Sequence, residues 1–153
     1  MKWFLFLFLV SSFISCSDDN SYSEDIVGIW YYSNTFPKEI VTNNDKLTKV
    51  IRENNERVIA DEEQTMTFTK DGKVMNSGGE VYGYQLYKDS LLIQIGNIPL
   101  MSQISISGQR MVIFRDYTSN YDNEELIADI IGKEASKNAV VSKVIIGEAY
   151  IRK

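Results

Sequence analysis

Cys16 is the only cysteine in the chain. It has no second thiol to pair with, and it directly follows an apolar run, a position that suits lipid attachment to its sulfur better than redox or metal chemistry. Carboxylates are the other plentiful reactive groups. Asp61-Glu62-Glu63 and Glu124-Glu125 form acidic runs, and Asp116 stands beside Tyr117 at a strand end. Glycosidase-type hydrolysis needs two carboxylates facing each other across roughly 5 to 10 Å, whereas runs of this kind are usually solvated loop or helix ends. Asp18, Asp19, Glu24 and Asp25 lack the ligand spacing and turn glycine of a calcium loop. The chain has no histidine, which removes Ser-His-Asp and Cys-His nucleophiles and the imidazole sites for zinc, copper and haem. Gly78-Gly79 and Gly83 are followed neither by Gly-Lys-Ser/Thr nor by a helix, so they make no phosphate loop. No catalytic residue, cofactor site or metal site is predicted, and the chain reads as non-enzymatic.

The residues before Cys16 read as an address. Lys2 supplies a positive start, Trp3 to Val10 an unbroken apolar run, and Ser11 to Ser15 the small and apolar stretch that a signal peptidase requires. The run is shorter than the roughly 18 to 20 residues that span a bilayer. Phe13-Ile14-Ser15-Cys16 resembles the Leu-Ala-Gly-Cys-like box of bacterial lipoproteins, with an aromatic three residues before the cysteine where leucine is usual. Residues 1–15 are therefore expected to be a lipoprotein signal peptide, and 16–25 a flexible acidic tether too poor in apolar residues to offset its ordering entropy. Asp18 and Asp19 are similar to the acidic signal that sends some lipoproteins to the outer face of the outer membrane. Two acyl chains on Cys16 suffice for stable anchoring, each buried methylene adding about 0.8 kcal/mol. The expected location is the bacterial outer membrane, on its periplasmic or cell-surface face. A net charge of −5 argues against nucleic acid and against an electrostatic grip on anionic lipid.

The elements beyond the tether read as one domain, residues 26–153. Aromatic residues make up 12% of the chain, and from Gln64 onward apolar and polar residues alternate between turn signals, the pattern of antiparallel strands. Strands are expected at Ile26 to Ser33, Gln64 to Thr69, Lys73 to Asn76, Glu80 to Tyr87, Leu91 to Ile95, Met101 to Ile106, Arg110 to Tyr117 and Val140 to Arg152. Lys70-Asp71-Gly72-Lys73 is a hairpin signal because Asp-Gly accepts positive φ, and Gly96 to Pro99 reads as a bend. Eight strands close into a barrel just wide enough to be filled or to hold one small ligand. Two segments carry helical spacing instead: Asn44 to about Glu63, with Leu47, Val50, Ile51, Val58 and Ile59 on one face, and Tyr121 to Ser136, with Leu126, Ile127, Ile130 and Ile131. These are expected to be amphipathic helices that pack outside the barrel or plug one end.

Period two puts Trp30, Tyr32, Met66, Phe68, Tyr82 and Tyr84 on inward faces, where they could line a cavity and stack on a sugar ring or apolar ligand, or simply fill the barrel. Ile26-Val27-Gly28-Ile29-Trp30 resembles the Gly-x-Trp start of lipocalin-like domains. Phe68-Thr69-Lys70-Asp71-Gly72-Lys73, Gly83-Tyr84 and the strand from Ile145 to Lys153 are similar to stretches in the lipocalin-like domains of bacterial lipoproteins. The resemblance implies a mainly β, eight-stranded antiparallel lipocalin-like barrel with two inserted helices. In it, Gly28 would let the backbone bend and Trp30 would stack across the closed end. The implied function is non-enzymatic binding of a small apolar or sugar-like ligand or of an envelope partner protein, with membrane attachment through Cys16. The alternative is a structural or assembly subunit with a filled barrel; an Asp/Glu-dependent hydrolase ranks third.

Overall fold

Alternating side chains make each strand two-faced, and burying one face of a meander is easiest when the sheet closes on itself. The computed structural model describes residues 24–56 and 64–153, and within them the chain does this. The strands are β1 (Gly28–Thr42), β2 (Thr65–Phe68), β3 (Lys73–Asn76), β4 (Val81–Tyr87), β5 (Ser90–Ile95), β6 (Ile98–Ser107), β7 (Arg110–Asp116) and β8 (Val141–Ile151). Each pairs antiparallel with its neighbour in sequence, and β8 returns to β1 to complete a closed eight-stranded barrel. Cys16, the expected signal peptide and most of the expected tether lie outside the described residues.

The strands differ from the sequence expectation mainly in β1, which runs on to Thr42 rather than stopping at Ser33. Register shifts between Tyr32 and Asn34 and between Pro37 and Glu39 interrupt its alternation. A bulge inserts a residue without ending the pairing, which hides the strand from a test for period two. The bend expected at Gly96 to Pro99 is shorter, since Ile98 and Pro99 already belong to β6 and pair with Ile95 and Gln94.

The helical segments also divide differently. Helix α1 spans Asp45–Asn55, started by Asn44, whose side-chain oxygen accepts the Leu47 N–H at 3.0 Å. The remainder of that expected helix, with Val58 and Ile59, falls on residues 57–63, outside the described residues. In place of one helix over Tyr121 to Ser136 there are three, α2 (Thr118–Tyr121), α3 (Glu124–Ile131) and α4 (Lys133–Ser136). Asn123 caps α3 by accepting the Leu126 N–H at 3.1 Å, and Gly132 at φ 93° ends it. Only glycine adopts that backbone conformation without strain.

Two cores result. The barrel core contains Trp30, Phe68, Leu91, Ile104, Met111 and Tyr150, among others. The second joins Leu47 and Ile51 of α1 and Ile127 of α3 to Val144 and Ile146 of β8. Alternation along β8 puts Val144, Ile146, Glu148 and Tyr150 on one face. The long β1–β8 ribbon thus carries the inner face of the barrel past its rim, and α1 and α3 cover the extension. On the opposite face the Phe36 ring lies over Gly147, where a β-carbon would stand 2.6 Å from Phe36 Cζ.

The start of β1, the end of β8 and the β2–β3, β4–β5 and β6–β7 turns share one end of the barrel. That end is closed. Trp30 is fully buried there, its Nε1–H donating to the Ile26 carbonyl at 2.7 Å. The Arg152 guanidinium stacks 4.3 Å from the Trp30 ring centroid and donates to the Asp25 carbonyl. Gly28, at φ 139°, leaves room for Arg152, whose Nε would stand 3.5 Å from a β-carbon at that position.

Candidate functional site

The other end, which carries the helical connections, holds a cavity of about 360 Å³, near the lower limit of small-molecule sites. Met66 and Val74 from β2 and β3, Ile93 from β5 and Leu100 from β6 form apolar walls. These strands supply them because each residue stands on the inward phase of its strand, above the buried Leu91, Ile104 and Phe68. Gln64, Asn76 and Ser77 ring the mouth, and Tyr82, Tyr150 and Arg115 add polar groups.

Arg115 and Tyr150 belong to a polar cluster set between the two cores. Arg115 Nε lies 3.0 Å from Glu148 Oε2, with the two side chains 27% and 14% exposed. The Arg115 Nε–H is not aimed at that oxygen and has no hydrogen-bond acceptor although it is buried, a condition that costs about 1–3 kcal/mol when no partner arrives. Glu148 is better served. Tyr117 donates its hydroxyl to Oε1 at 2.8 Å, and Tyr150 donates to Oε2 at 3.2 Å. Burial, reinforced by the Glu148 charge, pushes the Tyr117 phenol up to about 12. The same two causes, burial first, raise the Tyr150 phenol. Tyr117 packs with the helices and Tyr150 with the barrel, so Glu148 ties the two cores together.

Of the residues expected to line a cavity, Met66 and Tyr82 do so. Trp30 and Phe68 are buried below it, and Tyr84 packs edge-on to Phe68 at 5.1 Å with its hydroxyl donating to the Thr69 carbonyl. Tyr32 meets Tyr150 edge-on at 5.7 Å. Trp30 and Gly28 stand together at the closed end. Sequence reasoning passed over Arg115, Glu148, Tyr117 and Tyr150. The available signal was phase: Arg115 alternates with the buried Ile113 and Met111, and Glu148 with Ile146 and Tyr150, which puts opposite charges on the inner faces of adjacent strands.

The carboxylates considered for chemistry are dispersed. Asp116 accepts the Thr118 N–H at 2.8 Å and is held below the usual carboxylate range by hydrogen bonds from the Thr118 side chain and backbone. Glu124 and Glu125 are exposed in the first turn of α3, and Asp61-Glu62-Glu63 lie outside the described residues. Among the described residues no group of three or more Asp, Glu, Cys or His side chains could hold a metal ion, and no helix is long and apolar enough to cross a membrane.

Fold and cavity together define a class, a closed meandering antiparallel barrel with an interior cavity open at its helical end. No family model, curated protein or solved structure matches the chain. Since one barrel can host many functions, the site itself must carry the functional argument.

Proposed function

We propose that this protein is a lipid-anchored envelope lipoprotein whose lipocalin-like barrel binds a small ligand with an apolar body. The observation that carries the reading is the unfilled space of about 360 Å³ between Met66, Val74, Ile93 and Leu100 inside an otherwise packed barrel. The closed end, with Trp30 stacked under Arg152 beside Gly28, supports the lipocalin-like reading. The described chain enters the barrel at that end, opposite the cavity mouth. A second reading, docking of an envelope partner, draws on Ile98 and Met101, which are 69% and 65% exposed.

Native and denaturing mass spectrometry of the mature chain, isolated from its own envelope, tests the ligand reading. An extra mass released on denaturation, and lost when Leu100→Trp fills the cavity, is the expected result. Bare protein mass from the unaltered chain would overturn it in favour of partner docking. For the anchor, Cys16→Ala is expected to shift the protein from the membrane to the soluble envelope fraction. Retention of the uncleaved variant in the membrane would defeat the lipoprotein assignment.

A further inference from the structure

We propose that the cavity is built for a small anionic amphiphile, an apolar body bearing one carboxylate, with the carboxylate held by Arg115. This inference rests on the cavity being a ligand site and specifies what enters it. Among the described residues, Arg115 is the single charged side chain on the cavity wall. Its closest carboxylate contact is through Nε to Glu148, and that buried N–H is left without a hydrogen-bond acceptor. Glu148, in turn, has one hydroxyl donor on each oxygen, from Tyr117 and Tyr150. These two phenols disperse the Glu148 charge, so the carboxylate does not need the rest of the guanidinium fork.

A guanidinium has five N–H donors and no acceptor, and its planar fork matches a carboxylate. An incoming carboxylate would take up donor capacity that the protein leaves unused, at the edge of the apolar walls formed by Met66, Val74, Ile93 and Leu100. A neutral polar head would meet the fork with weaker, uncharged hydrogen bonds. A phosphate monoester carries a larger charge near neutral pH and would be repelled more strongly by Glu148. The mouth groups Gln64, Asn76 and Ser77 bring no second cation to offset that repulsion.

Isothermal titration of the chain carrying Cys16→Ala, which keeps every described residue and removes the protein's own acyl chains, decides the matter. Decanoate is expected to bind about tenfold or more tightly than decanol at neutral pH. Arg115→Met is expected to weaken decanoate about tenfold or more and decanol by less, so that the preference for decanoate disappears. Arg115→Lys should keep a preference for decanoate, since the charge survives. Equal binding of decanoate and decanol to the unaltered Arg115 chain overturns this inference and leaves the cavity reading standing. Tighter binding of decyl phosphate than of decanoate overturns the carboxylate assignment. Failure of all three to bind overturns the inference together with the ligand reading beneath it. The comparison of ligands on the chain with Arg115 intact stands even if Arg115→Met does not fold.

Discussion

Replacing Trp30 with alanine is expected to cost about 3–5 kcal/mol of folding stability, the range for removing a large buried aromatic. Against a typical total of about 5–15 kcal/mol, that is enough to lower the thermal midpoint by on the order of 10 °C. Three losses coincide at this residue. Its ring is wholly buried at the closed end of the barrel. Its indole N–H satisfies the Ile26 carbonyl at 2.7 Å, which holds the entering chain across that end. Its face supports the Arg152 guanidinium at 4.3 Å, and Arg152 already has a buried Nε without a hydrogen-bond partner. Without the ring, Arg152 would face a void or draw water into the core. Trp30→Phe keeps most of the packing and loses the donor, so its expected cost is smaller, about 1–2 kcal/mol. Thermal and urea unfolding of the two variants measure both. A midpoint for Trp30→Ala within a degree or two of the parent would show that the closed end does not bear the stability assigned to it.

The second large effect is expected at Glu148. Breaking a fully buried ion pair by removing one partner costs about 3–5 kcal/mol. Arg115 is 27% exposed, so water recovers part of that, and about 2 kcal/mol is expected for Glu148→Ala. The change also strands the Tyr117 and Tyr150 hydroxyls, which sit in different cores, so the helical cap and the barrel should lose some of their coupling. Glu148→Gln, which still offers one acceptor, should cost less. Destabilisation no greater than that of an exposed-site variant such as Glu53→Ala would remove Glu148 from this role.

The same cluster sets an alkaline limit. Both phenols have folded pKa values above the ordinary value near 10, Tyr117 at about 12. Stability from keeping them protonated is therefore complete below about pH 10 and falls as pH rises through the folded value, because the unfolded chain releases those protons first. Burial is the larger cause for both, so the decline should persist, slightly reduced, in Glu148→Ala. Urea midpoints taken across this alkaline window report it directly, and a flat profile in the parent would contradict the burial of these phenols.

Much of the barrel was legible because its signals are local. Asp71-Gly72 makes a hairpin wherever it lies between two alternating stretches, and β3 begins and ends where the pattern says, at Lys73 and Asn76. The long second half of β1 was not legible, since bulges at Ser33 and Lys38 break the alternation while pairing with β8 continues. The split of the late helix was only half visible. Asn123 is a recognisable cap, but Gly132 stops α3 through a backbone conformation that a pattern of apolar residues does not report. For the site, period two puts Met66 and Tyr82 on the same phase as Trp30 and Phe68, yet phase alone does not say how far along the barrel axis a side chain lies.

By itself the sequence determined a single cysteine at position 16 after an apolar run, the lack of histidine, the β class, and the order of strands and helices. Each is a property of residue type or of near neighbours along the chain. Only the tertiary structure decided that Trp30 and Phe68 seal one end while Met66 and Tyr82 border an open space at the other. It alone brought Arg115 to Glu148 and joined Tyr117 and Tyr150 through one carboxylate. Those outcomes depend on the stagger of strands around a closed sheet and on where the β1–β8 ribbon outruns the rim. Both are set by long-range pairing, and the free energy of that pairing is shared among residues far apart in the chain.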